Sequence, residues 1–503
     1  LNRENELIDR IKDEERIFIY GAGMVGRLVL KRLLYQGIRK EHIVFLTTNP
    51  IDNCWLDGCP IYTCSNHILD KGVVIVATKE RFHEEIINNL SLNGCDIPII
   101  ICNSELCSDL ENNHMRLYPV PDNGEIIDVL LMTSDNYKGS GAFLCAVELC
   151  EQMNQSGIKM MIILPEYGEG EDILIERKLP YAYIPSKNWC VDKNNNYTYN
   201  LFDNRYARQT IKEVIISHKV KIIHNNTSYT YVGAEAAIEA GITYVWHLRE
   251  NISYQGQRFI DEKYTAKLMN GAGRIICVSQ FESKAYEFLD CERISVVYDG
   301  IEENSFMPAN NDRFSGSEVR IVNVGGINEL KGQEDIIRAA AILKNSGMTF
   351  SVKLVGRGDE LYINGLKLLV AENHMEKEVS FIGFSDNVKR IYDSSDIAII
   401  SSRADSFGRF TVEAMCSGCL MIGANAGATP EIIRNEINGY LYNVGDYHQL
   451  ARVIINAYKN KKKVRELIDE GIRTGKQYTV TSNMKNIKEI YDVLSGKGEG
   501  CEV

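Results

Sequence analysis

The chain has 503 residues, too many for one core and enough for about three domains at roughly 150 residues each. Hydrophobic residues make up 45% and charged residues 25%, the balance of a folded globular chain rather than a disordered one. The formal net charge of -12 argues against wholesale nucleic-acid binding, and no run of eighteen apolar residues or signal segment directs the chain into a membrane, so a cytoplasmic protein is expected. Apolar runs at 17–20, 43–47, 73–77 and 97–101 alternate with amphipathic stretches at 24–35 and 81–93, the pattern of a small parallel α/β layer. Its first strand runs into Gly21, Gly23 and Gly26, spaced G-x-G-x-x-G at the start of a helix. Glycines there let backbone amides and a helix N-terminus approach a phosphate, which makes this loop a candidate nucleotide site. A nicotinamide site also asks for a carboxylate about 20 residues on, to hold ribose hydroxyls. The second strand ends instead in Thr47, Thr48 and Asn49, with Asp52 only after a proline, and residues 1–122 hold no Tyr-x-x-x-Lys. Hydride chemistry has little to work with there.

The polar stretch 103–125, with two prolines, reads as a linker. The pattern then restarts at 126 with strand, glycine loop and helix, followed by strands at 160–164, 221–224, 243–247 and 274–278. It restarts again at "VRIVNVGGINELKGQEDIIRAA". Three domains follow, at 1–122, 123–303 and 304–503, the last two being doubly wound halves that face each other across a cleft. Ligands belong at the carboxyl ends of those strands. The last helical segment, "NMKNIKEIYDVL", is long enough to pack back across another domain.

The most informative stretch is "SSRADSFGRFTVEAMCSGCLMIGANAGATPEII". A strand at 397–400 is followed by Asp405, a tight turn at Phe407 and Gly408, a helix from about Arg409, and Glu413 one turn inside it. Two carboxylates eight positions apart thus straddle a helix N-terminus whose free amides and dipole suit a diphosphate. Flanking acids would hold hydroxyls on either side of that anion, which describes a nucleotide sugar. Fourteen irregularly spaced cysteines read as reduced thiols; the single C-x-x-C, Cys416 to Cys419, lacks the second ligand pair of a zinc site, and no metal site is expected. The run "KNKKKVRE" at 459–466 reads as a solvated helix face rather than a membrane patch.

The pattern D-S-F-G-R-F-T-V-E-A-M, with "GGINELKGQEDIIRAA", "LVGRGDE", "FIGFSDNVKRIYDSSDIAIISS", "ICVSQFESKAYE" and "VVYDGIEENSF", resembles the retaining glycosyltransferases of family 4 over roughly residues 126 to 480. That resemblance implies an α/β chain of the GT-B fold, here preceded by a small Rossmann-like domain similar to the nucleotide-binding modules that accompany sugar-modifying enzymes. It implies that Glu413 binds the donor ribose, that Asp405 faces the transferred sugar and that Lys331 neutralises the donor diphosphate. Ser406, Phe407, Gly408, Arg409 and Phe410 would line the helix start, Gly139, Ser140 and Gly141 would approach the phosphates, and His247 would lie near the reacting sugar. Phe384 would line the base pocket. The implied donor is a UDP- or GDP-sugar, with no metal or other cofactor. The acceptor would be a glycan or a lipid-linked hydroxyl compound, met in the cytoplasm with a peripheral contact at the inner membrane face.

Two departures from the family pattern bear on the donor. Asp405 replaces the usual Glu, one methylene shorter, and Gly326 stands where an arginine is common, leaving Lys331 to carry more of the phosphate charge or Arg249 or Arg403 to contribute. The pair Arg249–Glu250 can equally be a surface ion pair. Two rivals stand beside the transferase: an NAD-dependent oxidoreductase or sugar epimerase working on the first glycine loop, and a non-catalytic glycan-binding protein in which Asp405 and Gly326 mark a decayed site.

Overall fold

A computed structural model describes residues 3–49, 55–66, 69, 71–121, 124–194, 204–302, 304–308, 313–385 and 387–496; Asp52 lies outside them. The chain divides into two units, one of Leu1–Pro121 with Glu166–Asp172 and Tyr181–Tyr183, the other of Asp122–Pro165, Ile173–Pro180 and Ile184–Val503. The sheet of the first unit runs Trp55–Leu56, Cys59–Thr63, Ile43–Thr47, Ile17–Tyr20, Val73–Val76, Ile99–Ile101, parallel except for its first pair. Ile17 to Tyr20 and Val73 to Val76 are all buried, as central parallel strands covered on both faces must be. The antiparallel edge hairpin turns through Asp57 (φ 50°) and Gly58 (φ 77°), the primed-turn chemistry that a D-G pair supplies.

Residues Ser104–Met115 are helical, where a linker was expected. The Asn103 side chain caps this helix by accepting from the Leu106 amide at 2.9 Å, and Leu106, Leu110, His114 and Met115 are buried along one face. That face is legible only once the many polar residues between are placed on the other side. It carries His114 to Glu171, a fully buried acid that also accepts from Lys31 Nζ at 3.0 Å and from the Tyr181 hydroxyl at 3.1 Å. Burial alone would raise the Glu171 carboxyl, but the bond from His114 and the Lys31 charge hold it below its ordinary range. These contacts explain why two short segments from later in the chain group with the first unit.

The second unit holds two lobes. In the first, parallel strands run in the order Ile294–Val296, Arg274–Cys277, Thr243–Leu248, Ile222–Asn225, Val129–Met132, Met160–Leu164. In the second the order is Val379–Gly383, Phe350–Val355, Val319–Val324, Ile397–Ile400, Leu420–Ala424, Tyr440–Tyr442, also parallel. Each order reverses direction once: between Val129–Met132 and Ile222–Asn225, and between Val319–Val324 and Ile397–Ile400. Such switch points leave a crevice beyond the carboxyl ends of the strands. Most long helices here start with a side-chain cap, from Ser140, Asp261, Asp359, Asp446, Asn460 and Thr479.

The chain passes between the lobes twice, and the two passages touch. Ile301 N donates to Tyr478 O and Val480 N donates to Ile301 O, both at 3.1 Å. After the second passage the helix Val480–Leu494 packs on helix Gly141–Gln155 of the first lobe, as the length of that segment suggested. The basic run at 459–466 enters helix Lys461–Gly475, where Lys461 Nζ donates to Phe314 O at 2.7 Å. Among the described residues no helix is long and apolar enough to cross a membrane.

Candidate active site

The loops beyond both switch points of the second unit meet in one cleft of about 860 Å³, a size usual for ligand pockets. From the first lobe come Gly139, Ser140 and Gly141, and from the second Gly326, Lys331 and Asp405, then Ser406, Phe407, Gly408, Arg409, Phe410 and Glu413. The structure therefore brings together residues as much as 274 positions apart in sequence, Gly139 to Glu413.

The second-lobe wall is built around helix Arg409–Cys416. Its N-cap is Gly408 at φ 81°, a left-handed conformation that glycine adopts without strain, and it supplies no side-chain oxygen. Unlike the capped helices, this one starts without a side-chain cap, and Gly408, Arg409 and Phe410 at its start line the cleft, at the positive end of its dipole. Asp405 does not cap it: its Oδ1 accepts from Lys331 Nζ at 2.9 Å. Lys331 is held on the short turn Glu329–Lys331, whose Asn328 side chain accepts from the Lys331 amide. Glu413, one turn into the helix, has Oε1 bonded by Arg409 Nε at 3.2 Å, while Oε2 is buried without a partner. Burial pushes its carboxyl up to about 7, against the opposing pull of Arg409.

The first-lobe wall starts from Asp135, which accepts from the Ser140 hydroxyl at 3.1 Å and the Tyr137 amide at 3.1 Å, while Ser140 Oγ accepts from the Phe143 amide and so caps helix Gly141–Gln155. Arg249 and Glu250 also reach the cleft. They are not a surface ion pair. Arg249 is buried and donates to Asp299, to Asn226 Oδ1 at 3.0 Å and to His247 Nδ1 at 3.3 Å. Glu250 Oε1 accepts from the amide and hydroxyl of Ser228, both at 2.7 Å, and burial pushes its carboxyl up to about 8 despite those bonds. Strand Thr243–Leu248 ends too early for an exposed pair: the next two side chains are carried into the cleft wall.

His247 and Phe384 are expected site residues that the cleft lining does not include. His247 is fully buried on that strand, two residues before Arg249, which does reach the cleft. Its protonation follows from its neighbours. A guanidinium can only donate, so His247 Nδ1 accepts from Arg249, and His224 Nε2, 3.2 Å away, must donate to the same atom. His224 Nδ1 then accepts from the Tyr491 hydroxyl on the last helix. This leaves His247 Nε2 as a buried N–H donor with no partner. Burial, then the Arg249 charge, pull His224 down to about 3 and His247 well below the usual imidazole range, so both rings are neutral. Phe384 also lies outside the cleft wall, its ring centroid 5.0 Å from the Arg357 guanidinium and 5.7 Å from Lys138 Nζ. Arg403 is exposed and does not line the cleft.

The first unit has a glycine loop of its own. A side chain at Gly26 would place its Cβ 1.9 Å from Gly21 O, so loop and helix meet there only because glycine leaves the space. At the end of the second strand Thr47 Oγ1 donates to Asn49 O, and no acid stands in the described part of that turn. Of the C-x-x-C thiols, Cys419 is buried and directed at Tyr392 O at 3.4 Å, and both are free.

Residues 139–305 match the family profile Glycosyltransferase Family 4, and residues 310–474 match Glycosyl transferases group 1, together about two thirds of the chain. The chain belongs to the family 4 glycosyltransferases. Among curated relatives of this glycosyltransferase, the N-acetyl-alpha-D-glucosaminyl L-malate synthase of Bacillus anthracis is 29% identical over 220 residues, 41% of this chain and 56% of that protein. The amylovoran biosynthesis glycosyltransferase AmsK of Erwinia amylovora is 29% identical over 181 residues, 34% of this chain and 44% of that protein. The chain thus spans about half the length of the curated relatives it matches. A crystal structure of Anabaena HepE in complex with UDP and glucose superposes with a TM-score of 0.62 at 21% identity, covering 72% of this chain and 98% of that one. A glycosyltransferase from Rickettsia africae gives 0.62 at 19% identity, covering 74% and 100%. These likenesses show the GT-B fold.

Sequence reasoning missed Glu148, which turns out to be the partner of Arg409 across the cleft at 2.6 and 2.7 Å. The signal was present: Glu148 is an acid inside the otherwise apolar run "FLCAVELC", and a buried acid needs a cation. Asp299, the partner of Arg249, carried no such signal.

Proposed function

We propose that the enzyme transfers a sugar from a nucleoside-diphosphate sugar, UDP- or GDP-linked, to an acceptor hydroxyl with retention of anomeric configuration. The observation that carries this reading is the uncapped start of helix Arg409–Cys416, set between the Lys331–Asp405 pair and the unpartnered oxygen of Glu413. It offers amides and an ammonium to a diphosphate, and a carboxylate to hydroxyls on each side. Breaking the bond from the anomeric carbon to the phosphate oxygen sends its electron pair to the diphosphate. Lys331 and the helix amides stabilise that charge as it forms, so the site supplies what a metal ion would otherwise supply and the reaction needs no added cofactor. The acceptor oxygen attacks the same face, and its proton passes to the departing phosphate oxygen. His247, neutral and buried outside the cleft wall, moves no proton in this scheme; its Nδ1 accepts from Arg249 and so helps hold that side chain in the wall. The crystal complexes of Anabaena HepE with UDP, glucose and UDP-glucose support the donor class, and the relative named for amylovoran biosynthesis supports a setting in polysaccharide synthesis.

The test is a thermal-shift screen of the full chain against UDP, GDP, ADP, their sugar conjugates, NAD and NADP, since a ligand of the native state raises its apparent stability. A shift with one nucleoside diphosphate and its sugar is the expected result; a shift with NAD or NADP alone would move the function to the first glycine loop. Binding should also depend on pH through Glu413. Its carboxyl is raised to about 7, and ribose hydroxyls donate to the ionised form, so the competent state is lost as pH falls below 7. The nucleotide Kd, measured by calorimetry, should rise by up to about tenfold per pH unit below that point. A Kd flat from pH 8 to 5.5 would remove Glu413 from the ribose site.

A further inference from the structure

Arg409 bonds to carboxylates of both lobes. Its two terminal nitrogens donate to Glu148 Oε2 and Oε1 at 2.7 and 2.6 Å, and its Nε donates to Glu413 Oε1 at 3.2 Å. Glu148 lies on helix Gly141–Gln155 of the first lobe, while Arg409 and Glu413 lie one turn apart on helix Arg409–Cys416 of the second. All three side chains are at least four-fifths covered: Arg409 is 17% exposed, Glu148 10% and Glu413 6%.

One guanidinium is therefore shared by two carboxylates, and the sharing is unequal. Glu148 takes the planar two-pronged face, the strong geometry for an arginine–carboxylate pair, and leaves Glu413 the single edge nitrogen. As a result Glu413 Oε2 stays unpartnered at the cleft wall. Without Glu148, the same guanidinium would be free to turn its two-pronged face on Glu413, four residues along the same helix, and engage both of its oxygens.

We propose that Arg409 is a positioning residue and Glu148 its competitor: Glu148 draws the guanidinium off Glu413, so that the ribose-binding oxygen is left without a protein partner only when the two lobes are together. This rests on the reading of Glu413 as the ribose acid. Lobe closure then does more than bring two walls together; it unmasks the carboxylate that receives the donor. An open cleft carries a self-blocked Glu413, and the donor is held only in the closed arrangement.

The experiment is calorimetric titration of UDP and GDP into the full chain and three variants: Glu148→Gln, Arg409→Gln and the double variant. Glu148→Gln keeps shape and removes the competitor, so its nucleotide Kd should rise about tenfold, the size expected for hydrogen bonds to a charged group. The double variant has no guanidinium to mask Glu413 and should bind more tightly than Glu148→Gln alone. A merely structural pair would give the opposite order, with the double variant no better than the single. If Glu148→Gln does not fold, Glu148→Asp replaces it, with a smaller loss expected in the same direction. Wild-type affinity in the Glu148 variant, or no recovery in the double, overturns the proposal. If wild-type protein binds neither nucleotide, or Glu413→Ala binds as wild type does, it is the ribose reading that falls, and the two failures are told apart.

Discussion

Lys331→Ala lowers turnover of a nucleoside-diphosphate sugar by about 10² to 10³ at saturating donor, with the fold intact. The size follows from what the lysine does in the proposed reaction: its charge meets a leaving group that gains negative charge only as the bond breaks, so the loss appears in kcat more than in KM. Gly326, in place of an arginine, makes the loss larger, because no second-lobe cation among the described cleft residues stands beside Lys331 except Arg409, and Arg409 is committed to Glu148 and Glu413. Stability should hardly move. The Lys331–Asp405 pair has side chains 31% and 17% exposed, and pairs of this kind contribute at most about 1 kcal/mol. Initial rates with a UDP- or GDP-sugar, together with a denaturant melt, separate the two effects. Wild-type kcat in a folded Lys331→Ala protein would place the diphosphate elsewhere.

Glu413→Ala should raise the donor KM by about tenfold or more while leaving the protein folded. The carboxylate accepts hydroxyl hydrogen bonds in its charged form, and such bonds are typically worth about 1.5 to 3 kcal/mol. The fold tolerates the change because Arg409 keeps both bonds to Glu148, so no buried charge is stranded. Removal also relieves a carboxyl that burial pushes up to about 7. Glu413→Gln serves as the isosteric control and should lose the pH dependence of binding below 7 while retaining some affinity. A donor KM unchanged in both variants would contradict the assignment.

The parts of this molecule that could be read from the chain are those where local chemistry and global role coincide. Strand, glycine loop and helix recur because each parallel crossover needs them, and Lys331 and Asp405 stand in the loops beyond such strands, with Glu413 on the helix that follows, where α/β sheets hold their ligands. What escaped was long-range pairing. Nothing local to "VWHLRE" tells that Arg249 pairs with Asp299 and Glu250 with Ser228 rather than with each other. His247 and Phe384 were placed by resemblance, and each lies just off the cleft wall, one inside a strand and the other between two cations. The helix Ser104–Met115 escaped for a compositional reason, since its acids and amides outnumber the apolar residues that define its buried face.

The paired passages at Ile301 and Tyr478–Val480 bear on how such a cleft can work. Two bodies joined by one flexible strand can slide, twist and separate in any direction. Joined by two strands bonded side by side, they keep essentially one inexpensive degree of freedom, rotation about the line of the joint. The proposed function, which needs an acid unmasked and a diphosphate and an acceptor held in register, would gain from that restriction. In the proposed closure that single rotation would carry Arg409 to Glu148, the contact that joins the lobes here.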